Sequence, residues 1–399
     1  MLSFGGNYWV RYMNENNSRL TQTTNSYTLS RLRTYADWYY RDNVRVFGEY
    51  LWADSINEEL PSLRTDVDRG DILNLFVDLK LFEFRDKPVY IRGGRQEMLY
   101  GSQRLLSPLE WANTRRTFQG VKVFTQGDQW DFDTFWVQPV IPRANELDQA
   151  DYHQNLVGTW ATYRRKKGEF FDLYYLGYDN TNTVTQSDIQ RSPTRISTMG
   201  SRYAGDASGW LWDFEAMLQL GEQADRELSA GAATAGVGRT WQVDWTPTIW
   251  AYYDYASGDR DPDHGGAHTF NQLFPFGHYY MGWMDLVGRQ NIHDLNLHLY
   301  LYPARWITFW TQYHRFWLDQ PKDALYGPGG NVLRRDASGG SGIDVVDELG
   351  LFANFHMTRY SDIMVSYNKL YGGDFLKSSA GPNQSSDADS LYLMFQQRW

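Results

Sequence analysis

The sequence contains no cysteine, so no disulfide staples it and no thiolate serves as nucleophile or metal ligand. It has no run of about 18 apolar residues, which excludes transmembrane helices, and its mean hydropathy is -0.59. Positive charge is in short supply: 38 Lys and Arg against 48 Asp and Glu leave a formal net charge of -10, which argues against nucleic acid as a partner. No leader is visible either, because strand-like sequence follows Met1 directly. An outer-membrane location therefore carries the expectation that a signal peptide was removed or replaced.

What the chain has in excess is aromatic. Seventeen per cent of it is Phe, Trp or Tyr, with 17 Trp and 28 Tyr, as expected where amphipathic rings line two membrane interfaces. Residues 291–317 show how these rings are set. Leu295, Leu297, Leu299 and Leu301 alternate with Asn296, His298 and Tyr300; residues 302–304 turn the chain; Ile307, Phe309, Thr311 and Tyr313 then alternate with Trp310, Gln312 and His314. Period-two alternation gives each limb an apolar and a polar face. Each limb also exceeds the roughly 9 to 11 residues that a tilted strand needs to cross a bilayer.

The same pattern recurs along the chain, and short and long connections alternate. Short turns fall at 41–42, 85–87, 127–128, 165–168, 205–208, 244–247, 302–304 and 359–361. Longer polar segments lie near 14–27, 53–69, 98–116, 141–153, 179–194, 221–228, 257–290, 318–346 and 372–388. Eight turns and nine loops join eighteen strands, an all-β antiparallel transmembrane barrel with both termini at the short-turn, periplasmic end and the long loops outside. Residues 1–399 read as a single outer-membrane barrel domain, closed by pairing of the first strand with the last. A soluble sandwich or jelly roll would also alternate, but such folds mix loop lengths and rarely keep a strict short-long order.

With lipid outside, the polar faces line the lumen, and a barrel of this strand number is wide enough to hold water. The pore-lining set read this way includes Arg31, Arg33, Arg45, Asp78, Lys80 and Arg92 from the first third of the chain, and Asp213, Glu215, His298, His314 and Glu348 from the remainder. This is a laterally polarised lumen, basic on one wall and acidic on the other. Guanidinium groups facing carboxylates across a constriction would orient a polar solute and bias ion choice.

Two stretches mimic other chemistry. In GDRDPDHGGAH at 258–268, Asp259, Asp261 and Asp263 have the spacing of a calcium loop, which makes Ca2+ in the 257–290 loop a candidate ligand. Pro262 and His264 then break that pattern, and His264 with His268 lacks a third fixed metal ligand. His293, His298, His314 and His356 could each act as a base, but no Gly-x-Ser-x-Gly elbow accompanies them. A barrel-embedded hydrolase is thus the rival with least support, and no enzymatic activity is expected.

Several segments, in order from Arg92 to Trp399, resemble the bacterial alginate-export family of outer-membrane porins: RGGRQ at 92–96, SGDRD at 257–261, GWMDLVGRQNIHDLNL at 282–297, YHRFW at 313–317, DEL at 347–349, GGDF at 372–375 and the aromatic C-terminus. The resemblance implies an 18-stranded channel carrying an anionic polysaccharide through an arginine-lined pore, with Arg95 of the GRQ match as a further pore-lining position. Strict alternation points Arg95 outward, so its access to the lumen would require a bulge at Gly93-Gly94. The turn at 359–361 is too short to form the periplasmic plug of the alginate exporter itself. The expected function is passage of polar, anionic solutes such as acidic oligo- or polysaccharide, and a general diffusion porin stays open beside it. Expected partners are outer-membrane lipid, an anionic saccharide or other small polar solute, and periplasmic export or import proteins, with no nucleic acid.

Overall fold

Period-two alternation puts one side chain in two on the outside of a strand, and the chain closes this pattern into a ring. The computed structural model describes residues 1–182 and 193–399. Its strands are β1 (Leu2–Asn16), β2 (Asn25–Tyr40), β3 (Val44–Ile56), β4 (Asp68–Phe84), β5 (Lys87–Gln96), β6 (Phe118–Gln126) and β7 (Trp130–Ile141). They continue with β8 (Gln149–Ala150), β9 (Gln154–Lys166), β10 (Glu169–Asn180), β11 (Thr194–Ala207), β12 (Trp210–Gln223), β13 (Arg226–Thr240) and β14 (Thr248–Ala256). The last are β15 (Ile292–Ala304), β16 (Ile307–Leu318), β17 (Ala324–Tyr326), β18 (Val332–Arg335), β19 (Asp344–His356), β20 (Ser361–Gly372) and β21 (Ala388–Arg398). β8, β17 and β18 belong to loops; the other eighteen pair antiparallel with their neighbours, and β1 with β21 completes the circle, Asn7 opposite Arg398 and Asn16 opposite Asp389. Among the described residues, closure leaves no edge strand with unpaired backbone groups, the condition for a sheet inside a bilayer.

The outer wall is apolar. On β4, Leu75, Val77, Leu79 and Leu81 are exposed while Asn74, Phe76 and Asp78 between them are buried. Leu391, Leu393 and Phe395 repeat this on β21, and Trp38, Tyr40, Trp130, Trp210 and Trp306 stand exposed near strand ends, as girdle residues do. Three connections are two-residue hairpins with positive φ at both positions, Arg85-Asp86, Ser208-Gly209 and Ala224-Asp225. Their backbone twist matches that of the flanking strands. Ala224-Asp225 corrects the expected 221–228 loop, because β12 and β13 stay paired as far as Gln223 and Arg226. The 179–194 loop lies largely outside the described residues.

The lumen is filled by loops rather than left open. The connection from β5 to β6 and the one from β14 to β15, which contains α1 (Gly277–Tyr280), both fold inward and meet. Phe274 N–H donates to the Leu105 carbonyl (2.9 Å), Ser107 N–H to Phe274 (3.0 Å) and Phe276 N–H to Gln103 (2.8 Å). Their buried Leu105, Leu106 and Phe270 join Phe118, Leu156, Leu176 and Ile196 of the wall in the largest apolar cluster. The inward fold expected of the 257–290 loop is thus present, and the 98–116 loop, assigned no such role from sequence, shares it. α2 (Asp374–Ser378) caps the β20–β21 connection.

Candidate functional site

Ladder register decides which arginines meet. Arg45 of β3 stands opposite Asp78 of β4, which stands opposite Arg92 of β5, which stands opposite Lys122 of β6. Residues directly opposite across a ladder share a face, so this charged row faces the lumen with buried Asp78. Arg92 binds Asp78 bidentately through Nε (2.6 Å) and Nη2 (2.8 Å), and Arg45 binds Asp37 in the same way (2.9 and 3.0 Å). On β2, Arg33 Nη2 reaches Glu49 at 2.8 Å. The three guanidinium groups converge on one cavity of about 380 Å³, which Glu49, Glu97, Asn74, Phe47 and Phe76 also line. Arg92 stacks over the Phe76 ring at 3.6 Å, which fixes its plane. The carboxylates hold each arginine by one edge, so the plane of each guanidinium is fixed.

The other members of the expected set are placed differently. Arg31 is fully buried and donates to the carbonyls of Glu110 (3.1 Å) and Ala112 (3.0 Å) and to the Glu110 carboxylate (2.8 Å), so it clamps the β5–β6 loop to the wall rather than facing open lumen. Lys80 sits toward the short-turn end, paired with Glu83 at 2.6 Å. Arg95 requires a correction. The ladders on both sides of β5 run through Gly93 and Gly94 without a shift, so the bulge that would have turned Arg95 inward is absent. Gly94 has φ +131, and a Cβ there would collide with the Leu75 carbonyl, so the glycine serves close strand approach. Arg95 shares the outward face of Leu75 and bonds Asp71 at 2.6 Å and the Asp148 carbonyl at 2.8 Å.

The expected acidic wall is also corrected. Asp213 and Glu215 do not face open lumen, because Arg104 from the β5–β6 loop crosses to them, Nη2 to Asp213 at 2.9 Å and Nη1 to Glu215 at 2.8 Å, with its side chain fully buried. Arg202 holds the other oxygen of Asp213 at 2.6 Å, and Tyr174 donates to Glu215 at 2.8 Å. Glu348 is capped by the Met284 N–H at 3.0 Å. His314 donates through Nδ1 to Asp294 at 2.9 Å, and buried His298, whose ring nitrogens have no hydrogen-bond partner among the described residues, lies 5.6 Å from His314 between ring centroids. The carboxylates of the far wall thus anchor loops, while the arginines of the basic wall line a cavity.

Sequence reasoning missed the residues that fasten the inward loops to the wall and to each other, namely Arg104, Arg115, Trp111, His278 and Trp283. Arg115 bonds Glu97 and Glu110, Arg11 lies 3.6 Å over the Trp111 ring, and Trp111 stacks on His278 at 3.9 Å. Trp283 packs on Phe352 and donates to Gln312 at 2.9 Å. Burial against these rings holds the His278 imidazole below its ordinary value, although Asp285 at 2.6 Å opposes the shift. The calcium-loop expectation fails in geometry. Asp259 is taken by Arg226 at 2.8 Å, Asp261 by His264 at 3.1 Å and Asp263 by Arg335 at 2.7 Å, so the three carboxylates are committed to three different side chains instead of one ion.

A closed eighteen-stranded barrel with an apolar belt, inward-folded loops and a charged luminal cavity defines a bacterial outer-membrane channel. The chain belongs to the Alginate export family, whose model matches residues 1–388, a family of channels rather than enzymes. Among solved structures it is similar to OccK8 (OprE) of Pseudomonas aeruginosa, with 11% identity over 100% of this chain and 98% of that one at a TM-score of 0.67. Two further Pseudomonas aeruginosa channels share the fold: OccK2 (OpdF), solved in complex with glucuronate (11% identity, 100% and 96% covered, TM-score 0.62), and OpdK, solved with vanillate (12%, 100% and 98%, 0.63). A comparison with curated protein sequences finds no match.

Proposed function

We propose that this channel passes acidic saccharides, sugar acids or short uronate oligomers, and that the cavity lined by Arg33, Arg45 and Arg92 is where their carboxylates dock. The observation that carries this reading is the convergence of three held guanidinium groups on one cavity of about 380 Å³. That volume lies at the small end of the roughly 300 to 1,000 Å³ usual for small-molecule sites. Guanidinium forks match carboxylates in geometry and stay charged at any working pH. Phe47 and Phe76 give apolar faces against which a sugar ring can lie, while Asn74 and Glu49 offer hydrogen-bond partners for hydroxyls. Membership in the Alginate export family supports an anionic saccharide, and a similar fold has been solved with glucuronate. The two crossing loops favour slender solutes over folded polymers, and the connection at Met357 to Tyr360 is too short to add a periplasmic plug. Liposome swelling tests the reading. Proteoliposomes should admit glucuronate faster than glucose, and equal rates would support a general diffusion porin instead.

A further inference from the structure

We propose that Asp68, Asp71 and Asp148 form a hard divalent-cation site of the calcium type, which ties the loop-side end of β4 to the connection between β7 and β9. One oxygen from each carboxylate lies within 4.8 Å of the others, and all three residues are buried. Asp68 is the residue that points to a ligand. It is 1% exposed, yet among the described residues neither of its carboxylate oxygens has a hydrogen-bond partner. A buried carboxylate left without partners is costly, and such groups ordinarily pair or coordinate metal.

The surrounding charges do not meet this need. Among the described residues Arg95 gives Asp71 its one ion pair at 2.6 Å, so the three carboxylates, once ionised, leave two negative charges against that guanidinium, the charge of one divalent cation. Two arginines, one adjacent in sequence to Asp68 and one whose backbone bonds Asp148, are engaged elsewhere: Arg69 is held by Asp54 at 2.8 Å and by Asn145 at 3.0 Å, and Arg143 by Glu146 at 3.0 Å. The scaffold around the carboxylates is already fixed. Asp148 N–H donates to Asp71 at 3.2 Å, Arg143 N–H to Asp148 at 2.7 Å, and Arg95 to the Asp148 carbonyl at 2.8 Å. Oxygen-only donors of this kind select calcium-like ions over transition metals, and calcium tolerates the irregular geometry of a strand end meeting a loop. The bound ion would draw the 142–148 segment onto β4 at the mouth of the barrel.

The test uses the full chain refolded in detergent free of lipopolysaccharide and stripped with a chelator. Terbium luminescence sensitised by the protein's aromatic rings should rise saturably and be displaced by calcium, with half-saturation in roughly the 10⁻⁴ to 10⁻³ M range of extracellular calcium modules. Calcium should also raise the unfolding temperature. Asp68→Asn, which keeps the shape and removes the unpaired charge, should abolish both responses and leave the stripped protein at least as stable as the parent. Asp261→Asn, in the loop that only mimics a calcium site, should leave both responses intact. A parent protein without a saturable terbium signal, or an Asp68→Asn variant that keeps it, overturns the proposal. Neither result depends on what the pore conducts.

Discussion

Replacing Arg33, Arg45 and Arg92 together by glutamine keeps much of their bulk and removes three charges from one cavity. Among the cavity-lining residues, three arginines stand against Glu49 and Glu97, so the lining passes from one net positive charge to two net negative charges. For an ion passing at roughly 7 Å through water, each unit charge contributes about 0.6 kcal/mol before screening. Screening over about 30 Å at 0.01 M salt leaves about 1.4 kcal/mol for the three, near tenfold for each ion in opposite senses and so roughly a hundredfold in the cation-to-anion permeability ratio, whereas about 8 Å at 0.15 M leaves about 0.7 kcal/mol, three- to fourfold for each ion and roughly tenfold in the ratio. The assay is the reversal potential of single channels in planar bilayers under a salt gradient. Selectivity should move toward cations by these factors and shrink as salt rises. An unchanged reversal potential at low salt would refute the assignment of the cavity to the conduction path.

Arg104→Met should lower the unfolding temperature and raise conductance, because buried Glu215 would lose its ion pair and buried Asp213 would keep only Arg202, at a cost of about 3 to 5 kcal/mol. Thermal unfolding in detergent reads the first effect and single-channel current the second. Removing residues 277–285, the segment of the β14–β15 loop that reaches Trp111 and Glu348, should enlarge the pore and increase unit conductance; unchanged conductance would mean that the segment lies off the path. The depressed His278 value predicts acid sensitivity. An imidazole that stays neutral in the folded loop contributes full stability above its ordinary value near 6.5 and loses it as pH falls below that. Current fluctuations should therefore grow between pH 6.5 and 5, and His278→Gln should remove that dependence.

The barrel was legible because lipid on one side and lumen on the other impose strict alternation on every strand, and a strand slipped by one residue would invert its faces. The turn at Arg85-Asp86 and the leucine row of β4 are readable for that reason. Inward pointing of Arg33, Arg45 and Arg92 follows from the same parity. Whether an inward residue meets solute was not legible, since that depends on irregular loops whose side chains obey no period. Arg104 lies 109 positions from Asp213, and nothing local to either announces the pairing. Arg31 shows the opposite error: its parity is inward, but the Glu110 loop segment covers it. For Arg95 the glycines before it suggested a bulge, whereas a positive-φ glycine serves equally where two backbones approach closely.

The most direct test of the basic cavity as a docking place for acidic saccharides is single-channel current in the presence of a uronate. Glucuronate, and more strongly a short oligouronate, should interrupt the current in discrete blocks whose frequency rises with concentration and falls with salt. Glucose should block far less. In the Arg92→Gln channel the uronate blocks should shorten while open-channel conductance stays close to the parent's. Equal block by glucose and glucuronate, or uronate blocks unchanged in the variant, would contradict the assignment of this cavity as the place where the carboxylate is held.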